Sequence, residues 1–436
     1  MIALALLALM ACGRPAAAAW QPAPCSGAPD AEMAERRLLS YAAFDTQVDK
    51  RGLGDPRLPS SPGQTELLEH LLGELRAMGA SAPRRSRGHA VIAEAPGEPG
   101  GPRLAFYAHV DVSSDHPADG ASPVVHRDFD PWSPTVLTGG MIAMDALRFP
   151  ELADAAGDTV ITGDGTSSLG ADDKAGVVAV MALAERLLCS AAPRRATAVF
   201  LLVADGEAAA TRRRPWVVRD ARADALFVVD GGNRGDVRTK TMARVDAVVS
   251  ARGSPMHSNG PATHGRAYGR EHLSAIDVIG GLLGRLAPAG VGLASGLDPV
   301  AQCVHVSGSE EAAQAVLVVR SFDEAGIARV LRDAAAPCAP GCSLSTRRVA
   351  FALNETLAEP YAAAARRATA LAGFAPANTP IRGCTDGSYA SGMGVPTVHL
   401  FSGWHASHGP CDWASAQEMA RVADTLHRLC LEEFVA

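Results

Sequence analysis

Positive charge is what this chain has too little of for one whole class of partner. Its 40 lysines and arginines stand against 47 aspartates and glutamates in 436 residues, a formal balance of −7, so no electrostatic case exists for nucleic acid. The run Arg212-Arg213-Arg214 is a local exception and reads as a solvated face. Membrane-spanning length is lacking too. The apolar stretch at residues 1–11 (MIALALLALMA) is too short to span a bilayer as a stable helix, and the mature protein is expected to have no transmembrane helix. Followed by Cys12-Gly13 and the alanines at 16–19, it reads as a signal peptide with a short linker over residues 1–24. Leu9-Met10-Ala11-Cys12 has the form of a lipoprotein processing site, with Cys12 as a lipid anchor. The expected location is therefore exported: periplasmic, secreted or anchored. A further absence supplies the alternative, because no Lys or Arg precedes the apolar run and a cytoplasmic location follows if it is not a working signal.

Charged residues are few as well, 20% against 47% apolar, which excludes a disordered chain and leaves a globular one long enough for two domains. Cysteine is not scarce. Setting Cys12 aside leaves eight of the nine, an even number consistent with export, and Cys338 and Cys342 could close a small loop in an oxidising compartment. Such a pair could also bind metal, although no second pair or His cluster lies beside it. Cys189, Cys303 and Cys430 read as buried free thiols.

What is present is organised around Gly170-Ala171-Asp172-Asp173-Lys174-Ala175-Gly176, which leads into the apolar helix predicted over residues 174–188. Two adjacent carboxylates at the edge of a core repel each other unless a cation neutralises them, and a helix N-terminus supplies only about half a positive charge. Four apolar segments run into His or acid. These are RLAFYAHVD (103–111), ATAVFLLVADGE (196–207), DALFVVDGG (224–232) and VPTVHLFSGWHASHG (395–409). Strands that each finish this way collect ligating groups at one edge of an α/β sheet, where ligands usually bind. Within the first, residues two apart face the same side, so Asp111 can orient the ring of His109.

From about Glu35 to its end, through LLSYAAFDTQ, AHVDVSSD, TVITGDGTSSLGADDKAGV, VVDGG, VVRSFD, PIRGCTDG and the closing SHG, the chain resembles the peptidase T family of co-catalytic zinc tripeptide aminopeptidases. The resemblance implies two zinc ions, with His109, Asp172 and Asp230 on one and Asp172, Glu207 and His408 on the other. Ligand type alone also allows cobalt or manganese. It implies a cis peptide between Asp172 and Asp173, and Asp111 as the catalytic supporting acid. Family members carry two consecutive glutamates where this chain has Gly206 and Glu207, the first being the general base. A positioned base contributes about 10² to 10⁴-fold, so Asp205 becomes the candidate to replace it, Gly206 giving the backbone freedom to re-aim it. His257, Arg320 and Arg382 match positions near the substrate, and a guanidinium suits a peptide's terminal carboxylate.

The expected fold is α/β: a mixed central sheet flanked by helices, with an inserted small α/β lid. The catalytic domain is expected over residues 30–232 and 350–436, and the lid over 233–349, where strand and helix patterns alternate. The implied function is hydrolysis of the N-terminal residue of short peptides. The alternatives are a catalytically impaired peptide- or metal-binding homologue, because of Gly206, or a related amide hydrolase such as a deacylase or carboxypeptidase.

Overall fold

The computed structural model describes residues 30–49, 59–86, 89–119, 121–190, 192–207, 214–253, 274–286, 296–335 and 342–431. Two helices begin the described chain. Asp30 caps α1 (Ala31–Ala42) by accepting from the Met33 amide at 2.7 Å, and α2 (Pro62–Ala77) opens on a proline that has no amide to leave unpaired. Leu67, Leu68, Leu71, Leu72 and Leu75 recur on one face of α2 and are all buried.

The central sheet contains β1 (Ser81–Arg85), β2 (Ala90–Ala95), β3 (Arg103–His109), β4 (Thr197–Val203), β5 (Ala225–Val229), β6 (Val237–Arg238) and, much later in the chain, a strand at Thr397–Leu400. Their spatial order is β1-β2-β4-β3-β5, then Thr397–Leu400, then β6. The middle four strands are mutually parallel and the outer ones antiparallel, so the mixed α/β architecture expected of the sequence is the one found. Parallel strands covered on both faces must be apolar almost throughout. Phe106, Phe200, Phe227 and Val228 accordingly have no exposure. Against this sheet packs α3 (Ala171–Leu188), an almost wholly buried helix whose alanines and valines let it approach closely.

A second, antiparallel sheet comprises β7 (Ala243–Arg252), β8 (Val300–Gly308), β9 (Ala312–Ser321) and β10 (Cys342–Ala350), in the order β8-β9-β7-β10. Alternate residues of β7 are buried, as a sheet with one covered face requires. They pack beneath α4 (Ala275–Leu286) and α5 (Glu324–Ala335) in a core of their own. The chain then re-enters the first unit through α6 (Glu355–Leu371), the strand Thr397–Leu400, now β11, and α7 (Ala416–Leu431).

The cysteines depart from expectation. Cys342 is a free thiol, so it does not close the small loop proposed for it, and Cys189 is disulfide-bonded rather than free. Cys303 and Cys430 are free, the second fully buried. Cys12, Cys338 and the leader at residues 1–24 lie outside the described residues. No helix among the described residues is long and apolar enough to cross a membrane.

Candidate metal centre

Because β3, β4, β5 and β11 run parallel, their C-terminal ends share one edge of the sheet. His109 is the last residue of β3, Glu207 follows β4, Asp230 follows β5 and His408 lies beyond β11. Asp172 reaches the same edge from the start of α3, where the helical geometry is broken at Asp172 and Asp173 and the peptide between them is cis. The acids therefore interrupt the helix's first turn rather than precede it.

Asp172 sits between two imidazoles. Its Oδ1 is 3.3 Å from His109 Nε2 and its Oδ2 is 3.4 Å from His408 Nε2, one oxygen facing each ring. Asp230 Oδ1 lies 3.7 Å from His109 Nε2, and Glu207 Oε1 lies 2.9 Å from His408 Nε2. The ligand atoms of His109, Asp172 and Asp230 form one group able to hold a metal ion, and those of Asp172, Glu207 and His408 form another.

The electrostatics of these groups are those of a place that wants cations. Burial pushes the Asp230 carboxyl up to about 8, and the charges of Asp172, Glu207 and Asp386 add to it against the pull of His109. Burial also opposes charge on Asp172, yet the imidazoles of His109 and His408 on either side hold it at about 2. His408 is raised to about 11 by its hydrogen bonds to Asp172 and Glu207. Asp172 Oδ1 is buried without a hydrogen-bond partner, a group that costs free energy unless something meets it. A divalent ion in each group would satisfy that oxygen and neutralise the crowded acids, so the residues present fit a pair of metals.

Three carboxylates that face away from the groups hold them in place. Asp111 accepts from the amides of Gly206 at 2.5 Å and Glu207 at 2.8 Å, and approaches His109 Nδ1 at 3.4 Å. Burial works against its charge, but His109 and the two amides prevail and keep its pKa below the usual carboxylate value. Asp115 stands 3.1 Å from His408 Nδ1 and fixes that ring from behind. Asp412, 1% exposed, accepts from the amides of Leu169, Gly170 and Ala171 and from the Ser168 hydroxyl. It can do so because Trp413–Ser415 pairs in register with Val160–Thr162, which lays the segment after His408 beside the loop that ends at Asp172.

Several expected roles change. Asp205 is buried and turned away from the cleft: its carboxylate accepts from the Ser60 hydroxyl and amide and from Gln64 Nε2, while its own amide donates to Gln64 Oε1. It anchors β4's exit to α2 and is not placed to act on substrate. Gly206 is closed to any side chain, since a Cβ there would lie 2.3 Å from His109 Cγ. Arg382 is exposed and donates to the Gly296 carbonyl instead of lining the cleft. Arg320 is half-buried on β9, and His257 lies outside the described residues.

The cleft over the two groups has a volume of about 360 Å³. Besides the ligating residues its walls include Arg238, Arg244, Cys384, Asp386, Tyr389 and Trp404. Asp386 accepts a hydrogen bond from the Tyr107 hydroxyl. Arg244 and Asp386 are not visible as site residues in the sequence. One sits at the start of a strand, where alternation is the only signal; the other sits in PIRGCTDG behind a more conspicuous arginine.

Residues 144–432 match the sequence profile of peptidase family M20/M25/M40. The chain is 28% identical over 406 residues to a peptidase T of Brevibacillus brevis, covering 89% of this chain and 96% of that one. It is 26% identical over 404 residues to the peptidase T of Bacillus subtilis, again covering 89% and 96%. Among solved structures it resembles the aminopeptidase PepT of Bacillus cereus, with a TM-score of 0.68 at 17% identity over 92% of this chain and 98% of that one. A dinuclear metal-binding peptidase of Bacillus subtilis matches at a TM-score of 0.62 and 13% identity, covering 92% and 98%.

Proposed function

The chain belongs to peptidase family M20/M25/M40, and from that premise we propose that it is a two-zinc aminopeptidase releasing the N-terminal residue of short peptides. The observation that carries this is Asp172, with one carboxylate oxygen toward each of two imidazoles and a further acid beside each ring. His109, Asp172 and Asp230 would hold one ion, and Asp172, Glu207 and His408 the other. Paired imidazoles with carboxylates suit zinc, with cobalt and manganese as the other metals of matching ligand preference. When bound, the ions supply Lewis-acid chemistry, activating water and polarising the scissile carbonyl.

The chain's own residues do the rest. Asp111 fixes the His109 ring and the Glu207 backbone together, and Asp115 fixes His408, so the ligands arrive pre-oriented. Four carboxylates line the cleft among the described residues, and Asp386 alone belongs to neither group. It is the acid available to accept a proton during turnover, in the absence of a side chain at position 206. The second sheet forms the opposite wall through Arg244, Val349 and Ala350 and acts as a lid that excludes water from the cleft. The disulfide at Cys189 supports an oxidising, exported location.

One observation favours a second reading, a protein that captures peptide or metal without turnover: Gly206 has no room for a base and Asp205 is committed elsewhere. Tripeptide hydrolysis by zinc-loaded protein, with metal content determined on the same sample, separates the two. Turnover that falls at least ~10²-fold in Asp386→Asn at unchanged zinc content supports the enzyme. Two bound zinc ions with no turnover on any tripeptide tested would overturn it in favour of the binder.

A further inference from the structure

Away from the cleft, the segment at residues 128–147 carries an apolar surface that the peptidase reading does not use, and we infer that it is a wedge seated in the interface of a lipid bilayer. Trp132, Val136, Met141 and Leu147 are 67%, 53%, 83% and 86% exposed. Single apolar side chains at a surface are ordinary, whereas several in one place mark something that binds there. The fold brings these four together. The Ala146 amide donates to the Pro131 carbonyl at 2.8 Å, which makes neighbours of Leu147 and Trp132, one residue beyond each. Thr135–Leu137 pairs with Ile142–Met144, and Leu137 and Met144 are buried in a small core with Phe129, Leu152, Val160 and Trp413. Alternation then turns Val136 outward, and Met141 stands in the turn that joins the two strands.

The hairpin holds these side chains out. Its turn is pinned to the loop that leads to Asp172, the amides of Gly139 and Gly140 both donating to the Asp164 carbonyl. Met141 is kept at φ +53°, a conformation that a long side chain seldom adopts, and its exposure means that no packing accounts for it. Asp145 is buried and accepts from the amides of Leu147 and Arg148, each at 3.0 Å, which fixes the backbone under Leu147. The place where the chain's beginning emerges names lipid as the occupant. Arg127, one residue ahead of the segment, makes a two-pronged ion pair with Glu35, both distances being 2.9 Å, and Glu35 lies about 8 Å along α1 from Asp30. Cys12, which reads as a lipid anchor, comes 18 residues before Asp30, a length that reaches at most about 65 Å. An anchor there keeps this face of the molecule close to the membrane. The side chains match that setting, since tryptophan favours the level of the headgroups and exposed methionine and leucine gain by entering the acyl boundary. Arg127 and Arg148 stand against Asp128, Asp130 and Asp145 across residues 127–148, so the contact is apolar and not an attraction to anionic lipid.

The test reads whether Trp132 enters a bilayer. The full chain, produced in an exporting bacterial host, is mixed with phosphatidylcholine vesicles whose acyl chains do or do not carry bromine, a quencher of tryptophan emission. A Trp20→Phe background silences the tryptophan nearest Cys12 in sequence. Emission should fall on the brominated vesicles, and the fall should vanish in Trp132→Phe. A chain with Val136→Ser, Met141→Ser and Leu147→Ser keeps Trp132 and should nonetheless lose most of the fall, at an unchanged melting temperature, because all three side chains are exposed. Added sodium chloride should leave the quenching as it was. Absence of vesicle binding, or binding that leaves Trp132 unquenched, would overturn the proposal. So would quenching confined to anionic vesicles and lost in high salt. A concentration-dependent dimer, seen by sedimentation velocity without lipid and abolished by the three serines, would give the surface to a second copy of the chain instead. None of these outcomes touches the metal groups, so the peptidase reading stands or falls separately.

Discussion

Placing a methyl group at position 206 should cost the protein one of its two metals. In Gly206→Ala the new Cβ would lie 2.3 Å from His109 Cγ and 2.4 Å from His109 Cβ, where carbon atoms normally stand ~3.5–4.0 Å apart. The ring or the loop must retreat by about 1 Å, whereas metal–ligand distances tolerate only about ±0.2 Å. The loop is not free to move, because Asp111 holds the amides of both Gly206 and Glu207. Strain of this kind costs about 1–3 kcal/mol, which as lost affinity is roughly five- to 150-fold. The assay is competitive zinc titration with a chromogenic chelator, reading both stoichiometry and affinity. One site should weaken by that factor while the site of Asp172, Glu207 and His408 keeps its affinity. Gly409→Ala, beside His408 where a Cβ meets nothing within 4 Å, is the control. Two sites of natural affinity in Gly206→Ala would refute the steric argument. The same geometry predicts that Gly206→Glu, which would seem to reinstall a base, displaces His109 instead of restoring a catalyst.

Other consequences can be checked on stability alone. Asp412→Ala at pH 8 strands three backbone amides that the carboxylate now satisfies and should lower unfolding free energy by about 3 kcal/mol or more, read by urea denaturation; a loss under ~1 kcal/mol would contradict its role. Chelation should lower the melting temperature, and zinc should restore it, because Asp172, Asp230 and Glu207 are left crowded without a cation. A melting temperature indifferent to both would remove the metals from the account. His399 is buried, with its pKa lowered to about 3 by burial and by Arg238. It therefore stays neutral in the fold while the unfolded chain takes up a proton below about 6.5. Stability present above that pH should be lost as pH falls toward 3, at up to ~1.4 kcal/mol per pH unit from this group. His399→Gln should flatten the acid limb by about that slope; an identical limb would show that the histidine is not the cause.

How much of this was legible beforehand depended on the kind of signal. The parallel strands announced themselves through uninterrupted apolar runs such as AVFLLV (198–203), and their chemistry through the His or acid at each end. Parallel pairing alone then forces His109, Glu207 and Asp230 to one edge. The direction in which a side chain leaves a turn is not written in that pattern. Asp205 and Glu207 are two apart and looked equally available, yet Asp205, at φ +57°, turns into Ser60 and Gln64 while Glu207 turns to His408. Contacts between distant segments were equally hidden. Nothing in CDWAS (411–415) says that its acid will gather the amides of residues 169–171, because that depends on Trp413 pairing with Thr162, far away in sequence. Arg244 was missed for the same reason: its neighbour Arg320 is brought opposite only by the pairing of β7 with β9.

Metal capture and turnover rest on different residues here, which makes them separable. The loops bearing Asp172 and Glu207 are held by Asp412 and Asp111 through backbone amides, and neither carboxylate needs a side chain at position 206. A glycine there is compatible with an intact ligand cage and even required by it, since the His109 ring occupies the space a side chain would need. It follows that the absence of a side chain at position 206 need not be accompanied by loss of metal binding, and that metal content and rate are separate quantities in this chain. The two quantities should diverge under a single substitution. Asp111→Asn exchanges one acceptor oxygen for an amide that cannot accept from Gly206 or Glu207, so it should lower zinc affinity at both groups about 10- to 100-fold, the range typical of residues that orient metal ligands. Asp386→Asn, touching neither group of ligands, should leave zinc affinity within about twofold while reducing turnover. Parallel losses of zinc affinity in both variants would show instead that Asp386 is part of the metal cage, and the acid-base role assigned to it would fall.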